Sequence, residues 1–341
     1  MMTSQDKPHI KALDTLRTIS ILAVLLIHTT TKLLEFTQYD LNTYAFSLLL
    51  NQLARFAVPL FILISGFVLE LNYDYHTGYR AYLKKRVSRI LIPYLFWSLV
   101  YYYFVFTGNR DNLIQVLVTG NASYQLYFIP TLCIFYMIFP LLHKLYKFIA
   151  NVPILTLLGM AQIWLMNQDY FVKQYDFPDP VRISILAYFI FILGMVAARN
   201  KDKIVEIIGK LKYVLLILVP YLIHYIFEEG KTRYFKTYNI EAFYSQWSAD
   251  ILIYTLVLGA ILFYAFDKSH LQFKLMERLS KLSYLVFFIH VIVLEQIWKM
   301  FGRNLFTLPA FDLIFFASVA ATSFGVAYLI HKIPNLNKIT G

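Results

Sequence analysis

Apolar stretches of membrane-spanning length recur along the whole chain, each interrupted by a short polar or charged segment. At about 20 residues per hydrocarbon crossing, this pattern predicts ten helical spans. They lie near residues 12–34, 44–71, 87–107, 125–142, 152–168, 181–199, 211–228, 249–266, 282–300 and 310–332, with 152–168 short for a crossing. The polar interruptions are uneven in charge. With the N-terminus inside, 21 of the 31 Lys and Arg fall in inner segments, chiefly 72–89, 199–212 and 267–281, and 7 in outer loops. Lys32, Arg55 and Arg182 lie within spans. This bias predicts an even number of spans with both termini cytoplasmic.

Composition narrows the class. A soluble domain of 341 residues does not need 59% hydrophobic residues, and it carries more than 15% charged ones. The formal charge of +11 sits in short inner loops, so it reads as topology and contact with membrane lipid, not as nucleic-acid binding. Cys133 is the only cysteine, which excludes disulfides and a cysteine-ligated metal cluster. Lys7, Lys11 and Arg17 precede the first apolar run as in a signal peptide, but no small-x-small cleavage site follows, so the first span is expected to be retained. The expectation is an all-α polytopic integral membrane protein of the cell membrane, a single domain over 1–341 with no appended soluble domain, no internal repeat and no metal.

Ionisable residues inside spans are costly, so each marks a candidate site or a buried pair. In LDTLRTISILAVLLIHTTTK, residues 13–32, Arg17 and His28 are eleven residues apart, three turns plus roughly 20°, and share one helix face. About 16 Å of helix axis separates them, with Arg17 near the cytoplasmic surface and His28 past the bilayer centre. Asp14, one turn before Arg17, is placed to hold its guanidinium. Such a helix suits a donor charged at one end and reactive at the other. The plainer roles are a positive-inside anchor for Arg17 and an interhelical hydrogen bond for His28.

In KKRVSRILIPYLFW, residues 84–97, Arg86 and Arg89 stand i,i+3 at the cytoplasmic start of a span. Two guanidiniums so spaced can grip phosphate oxygens, or simply face anionic headgroups. In LSKLSYLVFFIHVIVLE, residues 279–295, His290 is a second deep imidazole, with Glu295 further out. An Arg55–Glu295 pair across helices would neutralise both charges. VPLFILISGF, residues 58–67, carries Pro59, Ser65 and Gly66, which a kink and a close helix crossing explain. The outer loop 229–248 mixes aromatics with charges, as an interfacial belt or a sugar-stacking surface would.

In this order, the motifs resemble those of bacterial acyltransferase family 3, multi-span membrane acyltransferases of cell-surface glycans. LDTLRTISILAVLLIH is similar to the family's opening motif, with Thr15 in place of the usual glycine. VPLFILISGFVL resembles its second span, Arg86-Val-Ser-Arg89 with Pro93 its RxxR element, and LSYLVFFIHVIV its late histidine element without the usual proline after His290. The resemblance implies that cytoplasmic acyl-CoA, acetyl-CoA or succinyl-CoA, donates to a hydroxyl of an extracytoplasmic glycan acceptor. Arg86, Arg89 and Arg17 would bind the CoA phosphates. His28 would act as general base with Arg17 and His290 assisting, and Asp14, Ser65 and Gly66 would support the site. Polysaccharide synthesis or export machinery would be the partner. Two other classes stay open: a transporter or flippase of a lipid-linked or polymeric glycan, and a non-catalytic partner of a polysaccharide synthase.

Overall fold

The computed structural model describes residues 10–35, 41–74, 76, 78–106, 112–167, 177–237, 247–268, 274–305, 310–333 and 336, and among these the regular structure is helical with no strand. The helices are α1 (Lys11–Leu34), α2 (Leu41–Leu53), α3 (Ala57–Asn72), α4 (Tyr79–Val100), α5 (Leu113–Thr119), α6 (Phe128–Lys144) and α7 (Tyr146–Ile149). There follow α8 (Val152–Asn167), α9 (Asp179–Arg199), α10 (Lys201–Thr237), α11 (Ala249–Lys268), α12 (Lys274–Leu305) and α13 (Phe311–His331). A π-helical turn, Tyr101–Val105, continues α4.

Among the described residues, six helical stretches are long and apolar enough to cross a membrane: Lys11–Leu34, Ala45–Asn72, Asp179–Arg199, Ala249–Lys268, Lys274–Gly302 and Phe311–His331. Helices α6 and α8 are apolar but shorter. The stretch read as one span at 44–71 is two helices, α2 and α3, joined by a turn at residues 54–56. The span read at 211–228 lies inside the 37-residue α10, which at 1.5 Å per residue is about 55 Å long and exceeds the hydrocarbon thickness.

The chain divides into two compact units, residues 1–61 with 202–332, and residues 62–201 with 333–341. In the first, α1 is central and packs against α2, α11, α12 and α13. Its apolar window is 72% buried, against 28% for α11 and for α13, which marks it as the interior helix. Small polar residues let neighbours approach closely there. Thr18, Ser20, Thr29 and Thr30 are fully buried, and Thr29 and Thr30 return their hydroxyls to the Leu25 and Leu26 carbonyls at 2.9 and 2.6 Å. Helices α1 and α12 run in the same direction: Thr18 donates to the Met276 carbonyl at 2.8 Å, and Lys32 meets Glu295 further along at 2.8 Å.

In the second unit, α6 packs against α4 and α9, and α9 also packs on α8. The later part of α3 crosses α9 through two glycines. A Cβ on Gly66 would strike the Phe191 carbonyl, and one on Gly194 the Leu63 carbonyl, so the backbones touch where side chains are missing. Gln162, fully buried on α8, donates to the Leu186 carbonyl and accepts from the Phe189 amide, fastening α8 to α9.

Candidate functional site

The parallel course of α1 and α12 brings His28 and His290 face to face, with ring centroids 5.2 Å apart and planes 30° from parallel. They are 262 residues apart in the chain. His290 is fully buried, and its Nδ1 donates to the Val286 carbonyl one turn back at 3.1 Å. That bond fixes the proton on Nδ1 and leaves Nε2 as an acceptor. Nε2 is buried without a hydrogen-bond partner. Buried polar atoms are nearly always bonded, so an open ring nitrogen beside a second imidazole suits a visiting donor such as a hydroxyl.

Charged groups surround this pair in an arrangement that differs from the sequence expectation. Glu295 is engaged not by Arg55 but by Lys32, at 2.8 Å, with side chains 16% and 20% exposed. The reason is register: Lys32 stands one turn beyond His28 on α1 and Glu295 a little beyond His290 on the parallel α12, so the two meet directly. Lys32 also lies over the Trp298 ring, which packs against Phe315. Arg55, 2% exposed at the corner between α2 and α3, is held by the carboxamide of Asn51.

At the opposite end of α1, Asp14 accepts from Arg17 at 3.1 Å and from the Ser280 hydroxyl at 3.2 Å, which fixes the guanidinium of a half-buried Arg17. Arg86 and Arg89 belong to the second unit, near the start of α4. Arg86 is half-buried and lies within electrostatic range of Tyr82, while Arg89 is exposed. Gly66 serves the α3–α9 crossing, and Ser65 beside it is half-buried. Of the aromatic segment 229–248 expected to be a loop forming a belt or a sugar surface, residues 229–237 continue α10 and residues 238–246 lie outside the described residues.

An acyltransferase domain model matches residues 10–332, nearly the entire chain. The chain belongs to acyltransferase family 3. It is a multi-pass membrane protein. It is similar to proteins named "probable poly-beta-1,6-N-acetyl-D-glucosamine export protein". One is from Staphylococcus aureus (strain N315), 23% identical over 323 residues, covering 88% of this chain and 87% of that one. Another is from Staphylococcus epidermidis, 24% identical over 320 residues, covering 88% and 86%. No solved structure matches the chain.

This family 3 protein also holds a cluster that sequence reasoning missed. Glu70, whose side chain is 2% exposed at the end of α3, takes Arg199 Nε on one carboxylate oxygen at 2.5 Å and His143 Nδ1 on the other at 3.0 Å. Arg199 stacks 3.7 Å above the Tyr146 ring, whose hydroxyl accepts from Asn200. Tyr73 packs edge-on against His143, Phe139 and Tyr82. His143 and Arg199 both lie in last turns of helices, where the backbone dipole favours cations. The available signal was Glu70 itself, an acid inside the apolar run FILISGFVLEL.

Proposed function

We propose that the protein transfers an acyl group, acetyl or succinyl, from cytoplasmic acyl-CoA to a hydroxyl of a surface or secreted polysaccharide beyond the membrane. In this reading ten spans hold both termini in the cytoplasm, in keeping with the Lys and Arg bias and the parallel α1 and α12. One observation carries the proposal: His28 and His290 converge in the interior of the first unit, with a buried ring nitrogen left open. His28 removes the acceptor hydroxyl proton as the oxygen attacks the thioester carbon. The carbon–sulfur bond then breaks, and His28 returns the proton to the CoA sulfur. The open Nε2 of His290 accepts a hydrogen bond that orients the incoming group. Arg86 and Arg89 hold the phosphates at the inner face.

The test uses purified protein with acetyl-CoA and succinyl-CoA, and a β-1,6-linked N-acetylglucosamine oligosaccharide as trial acceptor. Saturable binding of one donor, weakened at least tenfold in an Arg86→Ala/Arg89→Ala double variant, supports the assignment. A folded wild type that binds neither donor overturns it. The relatives' names favour a second reading, movement of a polysaccharide across the membrane with synthesis or export machinery as partner. Export that persists in a His28→Gln variant would favour that reading.

A further inference from the structure

Gln52 holds an idle donor in the interior of the first unit. The residue is 6% exposed, and its Nε2 is buried without a hydrogen-bond partner. A buried donor left open costs stability that an apolar side chain of the same shape would not, so its surroundings bear on what it is kept for. Three successive residues at the end of α2 meet three helices. Asn51 Nδ2 lies 3.1 Å from the Ile27 carbonyl and 2.9 Å from Thr30 Oγ1, on either side of His28 in α1. Gln52 lies against α10, where a Cβ on Gly230 would stand 3.2 Å from its Cδ and 3.5 Å from its Nε2. The Leu53 carbonyl accepts from the Tyr254 hydroxyl of α11 at 3.0 Å. The bare Cα of Gly230 thus lets the carboxamide lie close on the α10 backbone. Beside Gly230, Glu228 and Lys231 pair at 2.8 Å with side chains 45% and 35% exposed. Water-facing groups and an unbonded buried amide therefore share one turn of α10, next to the turn of α1 that carries His28.

In the orientation proposed above, this end of α10 lies on the outer side, where a glycan arrives. An amide NH2 group only donates, so its ligand must bring an acceptor. A sugar hydroxyl also brings a proton, which would need a further buried acceptor of its own. A carboxylate brings a charge that is costly to bury, and Lys231 is already paired with Glu228. An acetamido carbonyl brings neither. We propose that Gln52 donates to the acetamido carbonyl of an N-acetylhexosamine residue in the acceptor glycan, and so selects amide-bearing polysaccharides. The proposal rests on the reading above that the ligand on this side is a glycan. No bond is made or broken at Gln52, which holds the chain while a hydroxyl is presented to His28.

The experiment compares two β-1,6-linked oligosaccharides of equal length, one of N-acetylglucosamine and one of glucose. Their binding to wild type, Gln52→Met and Gly230→Ala is measured, with acetyl-CoA binding and thermal unfolding alongside. Wild type should prefer the acetamido chain by about tenfold, the worth of one buried hydrogen bond. Gln52→Met keeps the length of the side chain and removes the donor. It should bind the acetamido chain about tenfold less tightly and lose the preference, with an unfolding midpoint no lower than that of wild type. Gly230→Ala keeps the donor but pushes the carboxamide aside, and should lose part of the preference. A wild type that binds both chains equally, or neither, overturns the proposal. So does a folded Gln52→Met protein that keeps the preference, which would leave Gln52 a packing residue. If Gln52→Met does not fold, Gly230→Ala decides, and an undiminished preference there overturns the proposal. A wild type that prefers the acetamido chain but binds no acetyl-CoA removes the acyl-transfer reading and leaves this inference standing, so the two failures are distinct.

Discussion

Two buried polar clusters among the described residues are treated in opposite ways. At the end of α3, α6 and α9, Glu70 has both carboxylate oxygens engaged, one by Arg199 and one by His143, and Arg199 is further stacked on Tyr146. Charges there meet opposite charges. Between α1 and α12, a fully buried His290 keeps a ring nitrogen unbonded beside His28. Groups that only hold helices together are best saturated, since each open buried atom costs stability. Groups that must meet a substrate have to keep a valence open, and proteins tolerate that local cost at functional sites. By this criterion the His28–His290 pair has the character of a reactive site and the Glu70 cluster that of a clamp.

The comparison breaks most readily at His28. His28→Gln should lower acyl transfer by about a thousandfold, equivalent to about 4 kcal/mol of barrier, with the thermal unfolding midpoint in detergent within about 2 °C of wild type. A variant that unfolds but still turns over would reverse the assignment of roles. Glu70→Gln should do the converse, lowering stability by about 1–3 kcal/mol. A fully buried pair would cost more when broken, but Arg199 is 37% exposed and can be rehydrated. Its transfer rate should stay within a few-fold of wild type. His290→Leu sharpens the contrast: replacing an unsatisfied buried imidazole with an apolar side chain should raise stability by up to about 1 kcal/mol while transfer falls. Lys32→Met should have the smallest effect, about 0.5–1 kcal/mol for a partly exposed pair, and adding Glu295→Met should recover most of it. Chemical denaturation of the single and double variants reads this directly.

The helices were legible because hydropathy is carried by consecutive residues. Among the described residues the predicted spans fall mainly on helix, with a turn at residues 54–56 inside one span and basic residues that extend α4 back to Tyr79, and six of the helical stretches are long and apolar enough to cross a membrane. Arg17 and His28 could be put on one face because both lie on one helix, where geometry follows from counting. Asp14 and Arg17 met for the same reason, three residues apart. Partners on different helices were not readable in this way. Glu70 stood out as an acid in an apolar run, yet nothing local linked it to His143 or to Arg199, 73 and 129 residues away. The pairing of Arg55 with Glu295 was reasonable by charge and depth, and the fold chose Lys32 for Glu295 instead.

By itself the sequence determined where the chain is apolar enough for membrane, which residues are expensive to keep there, and the ordered motifs of acyltransferase family 3. These follow from the transfer cost of each side chain between water and hydrocarbon, a property of the residue and its immediate neighbours. The tertiary structure alone decided which expensive residues satisfy one another and which stay open. That outcome depends on the rotation and register of whole helices. These are set in α1 by small buried residues such as Thr18, Ser20 and Thr29, and at the α3–α9 crossing by Gly66 and Gly194. A shift of one residue along α12 turns a side chain by about 100°, enough to carry His290 away from His28.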